Sequence, residues 1–372
     1  MISMIYADNA ATTKLDEEAF KAMIPWLQEE YGNASQPYSF SRKPKKALAE
    51  ARRTIAECIG AEPEEIYFTS GGTESDNWAI KGMMANEDRR NTVISEIEHH
   101  AILNAGAAIE RLGYPVQYLS VDEKGVAHPE TLRKIIGEKT KLVSVMLANN
   151  EIGTIEPIQE LARAAHDCGA LFHTDAVQAV GHIAINVKQL EVDMLSASAH
   201  KFNGPKGIGF LYIKNATPIM PLEDGGAQES HMRAGTENIA SIVGMAVALK
   251  KNCSELVFTS KHLKEIEKQF EKRLQDKGVD FIRNGALNHI PGNVNVSIRN
   301  TNGEMLLHRL DLKGVAISTG SACDSVNMQV SHVIKAIGVP REYERGTIRI
   351  SFGRDNTVQE AIQIADLIAT IV

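Results

Sequence analysis

Cysteine is scarce in this chain, and its four examples, Cys58, Cys168, Cys253 and Cys323, stand far apart with no C-x-x-C pair among them. That spacing argues against a disulfide framework or a zinc knuckle and fits a reducing cytosol, so a cytoplasmic location is expected. A basic excess is missing as well. The 40 Lys and Arg against 47 Asp and Glu leave a formal charge of −7, which gives no footprint for a phosphate backbone, and direct nucleic-acid binding is not expected. No apolar run reaches about 18 residues, and the opening Met-Ile-Ser-Met-Ile-Tyr has neither a basic nor a long apolar region, so neither a membrane span nor a leader is expected. Internal repeats and low-complexity tracts are absent too, which sets aside solenoids and disordered tails. Metal chemistry lacks a ligand set: His99 and His100 would point apart on an extended segment, and no carboxylate partner has suitable spacing.

What is present is enough apolar material for a large core, 43% of 372 residues, in one large domain or two unequal ones. Leu48, Ala51, Ile55 and Cys58 recur at gaps of three and four and predict an amphipathic helix closed by Gly60. Strands are predicted at 65–69, 92–95, 116–119, 142–147, 171–173, 192–196 and 208–213, alternating with helices near 76–84, 101–112 and 158–168. That alternation implies an α/β fold with a mainly parallel sheet covered on both faces. Beyond a helical stretch near 240–252, Leu263, Ile266, Phe270 and Leu274 form another helical stripe capped by Gly278, with short strands after it. The reading is a large α/β domain over 14–250 and a smaller α+β domain from 1–13 and 251–372, with a ligand cleft between them.

Lys201 ends the run Ser-Ala-Ser-Ala-His-Lys and is followed at once by Phe-Asn-Gly-Pro-Lys-Gly. An amine at a strand end, with a histidine before it and glycines after it, is placed to form a Schiff base with an aldehyde such as pyridoxal 5′-phosphate. Taken alone, a lysine is more often a solvated surface charge. Ser-Gly-Gly-Thr-Glu-Ser (70–75) joins a strand to a helix, where glycines and unpaired N–H groups suit a phosphate as well as a plain turn. Asp175, at another strand end, reads either as a helix N-cap or as the partner of a protonated pyridine nitrogen, and the two are compatible. His99 is better used stacking on a planar cofactor than binding metal.

Nine ordered motifs carry a family resemblance. Tyr-Ala-Asp-Asn-Ala-Ala-Thr-Thr (6–13), Thr-Ser-Gly-Gly-Thr-Glu-Ser-Asp-Asn (69–77), Glu-His-His-Ala (98–101), Asn-Asn-Glu-Ile-Gly (149–153) and His-Thr-Asp-Ala-Val-Gln (173–178) come first. Ser-Ala-His-Lys-Phe-Asn-Gly-Pro-Lys-Gly-Ile-Gly (198–209), Arg-Ala-Gly-Thr-Glu-Asn (233–238), Ser-Thr-Gly-Ser-Ala-Cys (318–323) and Arg-Ile-Ser-Phe-Gly (349–353) follow. Nearly end to end, the chain resembles a NifS/IscS-type cysteine desulfurase of the class V aminotransferase group. The resemblance implies the PLP-dependent transferase fold type I, L-cysteine as substrate, and a homodimer with shared active sites. It makes Lys201 the Schiff-base lysine, Asp175 the pyridine-nitrogen partner and His99 the stacking residue and an acid–base helper. Gln178 and Asn150 would lie near the cofactor's phenolic oxygen, Asn150 also near substrate. Gly72, Thr73, Ser198 and His200 would hold the phosphate together with Thr236 from the other subunit, and Arg349 would clamp the substrate carboxylate.

Cys323 lies in a small, polar, glycine-containing stretch that is poor core material. The resemblance makes it the persulfide-forming cysteine of the long-loop branch, passing sulfur to an acceptor or scaffold protein. The other three cysteines, in or beside helical patterns, read as small buried hydrophobes. Asp324 stands where a small hydroxyl residue is common, Val330 where proline often occurs, and Glu156 where glutamine is usual. A carboxylate beside Cys323 would raise its thiol pKa. A selenocysteine lyase, a class V aminotransferase and a non-catalytic sulfur carrier are the alternatives. The recipient, whether in iron–sulfur assembly, tRNA thiolation, cofactor synthesis or DNA phosphorothioation, is not legible.

Overall fold

The computed structural model describes residues 4–84, 91–319 and 330–372; Cys323 and Asp324 lie outside that set. The chain starts with β1 (Ile5–Tyr6) and α1 (Glu17–Gln28), whose N-terminus is capped by Asp16 accepting from the N–H groups of Glu18 and Ala19. α2 (Arg42–Ile59) carries the expected apolar stripe and stops at Gly60, which takes a left-handed φ of 72° that a side chain would resist. Then come β2 (Ile66–Thr69), α3 (Gly72–Lys81), β3 (Asn91–Ser95), α4 (His100–Arg111), β4 (Val116–Leu119), α5 (Pro129–Ile135), β5 (Thr140–Ser144), α6 (Ile158–Asp167), β6 (Leu171–Asp175), α7 (Val187–Leu190), β7 (Met194–Ser198) and β8 (Gly209–Ile213). α8 (Ile239–Asp276) leads into β9 (Phe281–Arg283), β10 (Asn293–Ile298), α9 (Gly303–Asp311), β11 (Val315–Ala316), α10 (His332–Ala336), α11 (Arg341–Glu344), β12 (Thr347–Ser351) and α12 (Val358–Ile371).

The main sheet has seven strands in the order β2-β8-β7-β6-β5-β3-β4. β8 runs antiparallel to both its neighbours and the other pairings are parallel, so the sheet is mainly parallel as expected. A three-stranded antiparallel sheet, β12-β10-β9, and the two-residue pair β1-β11 form a second assembly. Each assembly has its own apolar cluster. Ile55, Phe172, Phe202 and Leu249 belong to the larger, whereas Leu263, Phe270, Val296 and Ile350 form the smaller together with Ile5 and Ala7 from the start of the chain.

Two expectations need correction. The stripes at 240–252 and 263–274, expected as two helical stretches, are one continuous helix of 38 residues. No glycine or proline interrupts 253–262, and a helix continues where nothing breaks its hydrogen-bond ladder. The strand expected at 192–196 begins and ends two residues later, because Asp193 turns its carboxylate to the N–H of Phe172, and Ser196, Ala197 and Ser198 pair with β8.

Candidate active site

The carboxyl ends of β5, β6 and β7 open onto a cavity of about 610 Å³, where an open α/β sheet presents side chains to a ligand. Of the residues picked from sequence, Gly72, Thr73, His99, Asn150, Asp175, Gln178, Ser198, His200 and Lys201 all line it. Arg349 and Thr236 do not. Thr236 lines an adjoining depression of about 220 Å³ with Arg233, and Ser70 and Gly207 line both. Arg349 is buried behind Asn150, donating to that residue's carbonyl at 2.7 Å and to Asp8 Oδ1 at 2.8 Å, while its Nε has no hydrogen-bond partner among the described residues.

Lys201 closes the short helical turn after β7, and its Nζ donates to the carbonyls of Ala10 and Ala11 at 2.6 and 2.9 Å. Gln178 Nε2 donates to the same Ala10 carbonyl at 3.0 Å. The N-terminal segment therefore forms one wall of the site and holds the amine in place. Asp175 ends β6 with Oδ1 taken by the Val177 N–H at 2.8 Å, so it is also the turn cap that its position suggested. Burial pushes its carboxyl up to about 6, against the pull of the Val177 N–H and the Lys201 ammonium.

His99 is the N-cap of α4: its Nδ1 accepts from the Ala101 N–H at 3.1 Å, which leaves the ring proton on Nε2. Burial first, and then the Lys201 charge, hold its pKa down to about 4. His99 is thus a neutral flat ring and an Nε2–H donor. His200 is also held down to about 4 by burial and by Lys201, with Nδ1 3.1 Å from Thr12 Oγ1.

At the other end of the cavity lies the N-terminus of α3. A Cβ at Gly72 would come 2.6 Å from Val177 Cγ2, so glycine is what lets the turn lie flat against β6 and face its first N–H groups inward. Thr73, Ser198 and His200 surround that terminus with donors suited to an anion. Donors suited to a phosphate, a carboxylate suited to a protonated ring nitrogen and an amine suited to an aldehyde line one cavity, the set that pyridoxal 5′-phosphate would require. The residues present fit that group.

Sequence reasoning missed several participants. The carbonyls of Ala10 and Ala11 bear no side-chain signal at all. Asp76, in the second turn of α3, is 1% exposed, lines the cavity, and has its carboxyl pushed well up by burial and then by Asp175. Behind Asp175, the wholly buried His173 bridges Ser144 and Ser196 at 2.9 Å each and is held down to about 3 by burial. Glu98 is enclosed beside His99, accepts from the Met146 N–H at 2.6 Å, and its carbonyl accepts from His332 Nε2 at 3.0 Å. These residues stood inside the quoted motifs, but only the folded contacts show what they touch.

A family model described as aminotransferase class-V matches residues 5–364. The protein named cysteine desulfurase IscS from Dictyoglomus turgidum is 46% identical over 371 residues, spanning 99% of this chain and 94% of that protein. A solved structure named NIFS-LIKE PROTEIN superposes with a TM-score of 0.93 at 36% identity and covers 99% of both chains. Another, named SspA in complex with cysteine, superposes with a TM-score of 0.83 at 33% identity, covering 94% of this chain and 99% of that one.

Proposed function

Because this chain belongs to the class-V aminotransferase family, we propose that it is a pyridoxal 5′-phosphate-dependent L-cysteine desulfurase. It would release L-alanine and carry the sulfur as a persulfide on Cys323. The observation that carries this reading is Lys201 and Asp175 in one cavity with the glycine-fronted N-terminus of α3. When bound, the cofactor supplies an aldehyde for amine exchange and a ring that draws electrons from the substrate's α-carbon.

The chain's own groups then have separable tasks. Gly72, Thr73, Ser198 and His200 hold the phosphate. Asp175 keeps a proton on the ring nitrogen; an adjacent cation draws its own carboxyl back below the value burial alone imposes, so it serves as a carboxylate. His99 would offer the cofactor a flat face and its Nε2–H, and Gln178 and Asn150 would hold its phenolic oxygen. Arg349, a planar fork of donors, takes the substrate carboxylate in exchange for its present partners. Lys201 Nζ would accept the substrate's α-proton and return it. The Cys323 thiolate attacks the substrate sulfur as the Cβ–S bond breaks, forming the persulfide, and protonation of the carbon fragment leaves alanine.

The finer parts of the proposal are a homodimer with shared sites, a cytoplasmic location, and delivery of sulfur to an iron–sulfur assembly acceptor. Thr236 is not among the residues lining this chain's own cavity, and Phe20, Leu27, Tyr31 and Tyr38 expose apolar surface near α1, which supports a second copy completing the site. The IscS name of the relative from Dictyoglomus turgidum supports the acceptor class. Among the described residues no helix is long and apolar enough to cross a membrane. Purified protein given L-cysteine and a reductant should yield alanine and sulfide in equal amounts. Cys323→Ala should lose at least about 99% of sulfide release, as loss of a nucleophile does, while keeping the cofactor's yellow absorbance. Full activity in that variant would remove Cys323 from the reaction.

A further inference from the structure

A second cavity, of about 510 Å³, takes its walls from both assemblies, and Thr12 is the one residue that lines both it and the active-site cavity. Leu256, Leu263, Pro291 and Phe352 supply its apolar lining. Three of its polar side chains have spent their donors on backbone carbonyls. Asn252 Nδ2 donates to Phe202 and Ala248 at 2.8 and 2.9 Å, Asn203 Nδ2 to Lys14 at 2.9 Å, and His182 Nε2 to Lys201 at 2.9 Å. A carbonyl only accepts, so these bonds fix the orientation of both amides and the tautomer of the ring. Burial holds His182 below the ordinary histidine value, so the ring is neutral and Nδ1 carries a lone pair.

What each side chain has left, without a hydrogen bond among the described residues, is an acceptor: Asn203 Oδ1, Asn252 Oδ1 and His182 Nδ1. The two asparagines are only 8% and 9% exposed, and an enclosed polar atom is costly to leave unmet. The three residues are also neighbours. His182 and Asn252 hold the consecutive carbonyls of Lys201 and Phe202, Asn203 comes next in the chain, and a Cβ on Gly181 would lie 2.6 Å from Phe202 Cβ and 3.5 Å from Asn252 Cβ.

We infer that this cavity is a binding site for a small primary amine, held as its ammonium by Asn203, Asn252 and His182 with a hydrocarbon body against Leu256, Leu263 and Phe352. An ammonium brings three N–H donors and no acceptor, the complement of three acceptors whose own donors are used. A hydroxyl brings one donor and a carboxylate none. The ionic groups on the lining do not oppose a cation, since Arg354 is paired with Asp16, and Asp355 and Glu360 stand against Lys14. An occupant touches the side chains that hold the turn of Lys201, whereas Lys201 itself, Asp175 and the start of α3 do not line this cavity.

The test is calorimetric titration of hexylamine into the full-length holoenzyme after borohydride has fixed the cofactor to Lys201, which stops the probe from reacting with the aldehyde. The expected result is saturable binding at one site per chain. N,N,N-trimethylhexylammonium, with the same charge and no N–H, should bind at least about tenfold more weakly, its charge-assisted hydrogen bonds having gone, and so should hexanoate. Ser260→Phe adds a ring to the lining without touching the three acceptors, and should weaken hexylamine by at least about tenfold by filling the space. Thr259→Phe fills the same cavity and replaces that variant if its melting temperature shows that it does not fold. Absence of saturable hexylamine binding, affinity for the trimethyl analogue or hexanoate within about tenfold of it, or undiminished binding in the folded filled variant would each overturn the inference. The titration reads binding and not turnover, so this inference and the proposed desulfurase activity can fail separately.

Discussion

Glu156 is 4% exposed, accepts one hydrogen bond from the Ala127 N–H at 2.8 Å, and has a second oxygen, Oε1, with no partner among the described residues. Burial pushes its carboxyl up to about 8, with Asp122 adding to the rise and the Ala127 N–H opposing it. An acid whose folded pKa is raised stabilises the fold fully below its ordinary value of 4.5 and loses that contribution as pH climbs through about 8. Glu156→Gln removes the titration. The variant should match the parent near pH 4.5 and become progressively more stable than it up to about pH 8, by on the order of 5 kcal/mol, with the difference then flat. Paired urea melts across that range check it, and a difference constant with pH would show that Glu156 does not titrate there. Glu156 drew notice in the sequence only as a departure from a family pattern; its cost is visible only once the enclosing contacts are known. Lys201, Asp175 and His99 were legible because strand-end position and residue type together imply a role. Arg349 was legible as a type but not in its present partners, Asp8 and the Asn150 carbonyl, which residue type does not encode.

At the scale of elements, the strand that matters most to the cofactor site is one whose first residue has no side chain. Gly209 opens β8 between Thr69 of β2 and Ser198 of β7, and a Cβ there would fall 2.4 Å from the Ala197 carbonyl and 2.8 Å from Gly71 Cα. Gly209→Ala must push the Gly71 turn, and with it the start of α3, away from the strand ends. Overpacking of this kind costs about 1–3 kcal/mol. The expected result is a lower urea midpoint together with roughly tenfold weaker uptake of pyridoxal phosphate by the apoprotein, followed by absorbance titration, since an anion cradle tolerates little displacement. Gly137→Ala, where a Cβ would meet nothing within 4 Å, is the control and should change neither. Unaltered uptake in Gly209→Ala would mean that the turn does not grip the phosphate. Apolar period alone placed β4 at its observed limits and most other strands within a few residues; β7, whose buried second half is serine and alanine, lies two residues later than expected, and the strand expected at 142–147 is β5 at Thr140–Ser144. Small residues pack in a sheet without a hydrophobic signature. The two-residue strand β1 carries too little sequence to show any period, and only its pairing with β11 reveals it.

For the molecule as a whole, α8 decides how the two cores communicate. Its first half puts Ile242, Met245 and Leu249 into the larger core, and its second half puts Leu263, Ile266, Phe270 and Leu274 into the smaller. The division at residue 250 was drawn from the change in side-chain pattern, and that change is real, but a pattern of side chains says nothing about whether the backbone ladder is broken beneath it. A rigid shared helix means that loss of either core exposes half of an element the other needs, so the pair should unfold in one cooperative step. Val257 lies between the halves with 87% exposure, so a substitution there acts on the backbone and not on packing. Val257→Pro removes a helical N–H and clashes with the preceding turn, costing about 3 kcal/mol. It should split a single thermal transition into two, with amides of β10 and β12 exchanging at a different midpoint from those of β6 and β7. Val257→Thr, which keeps the N–H, should leave one transition. A single transition persisting in the proline variant would mean that the cores are coupled through their direct contacts rather than through α8.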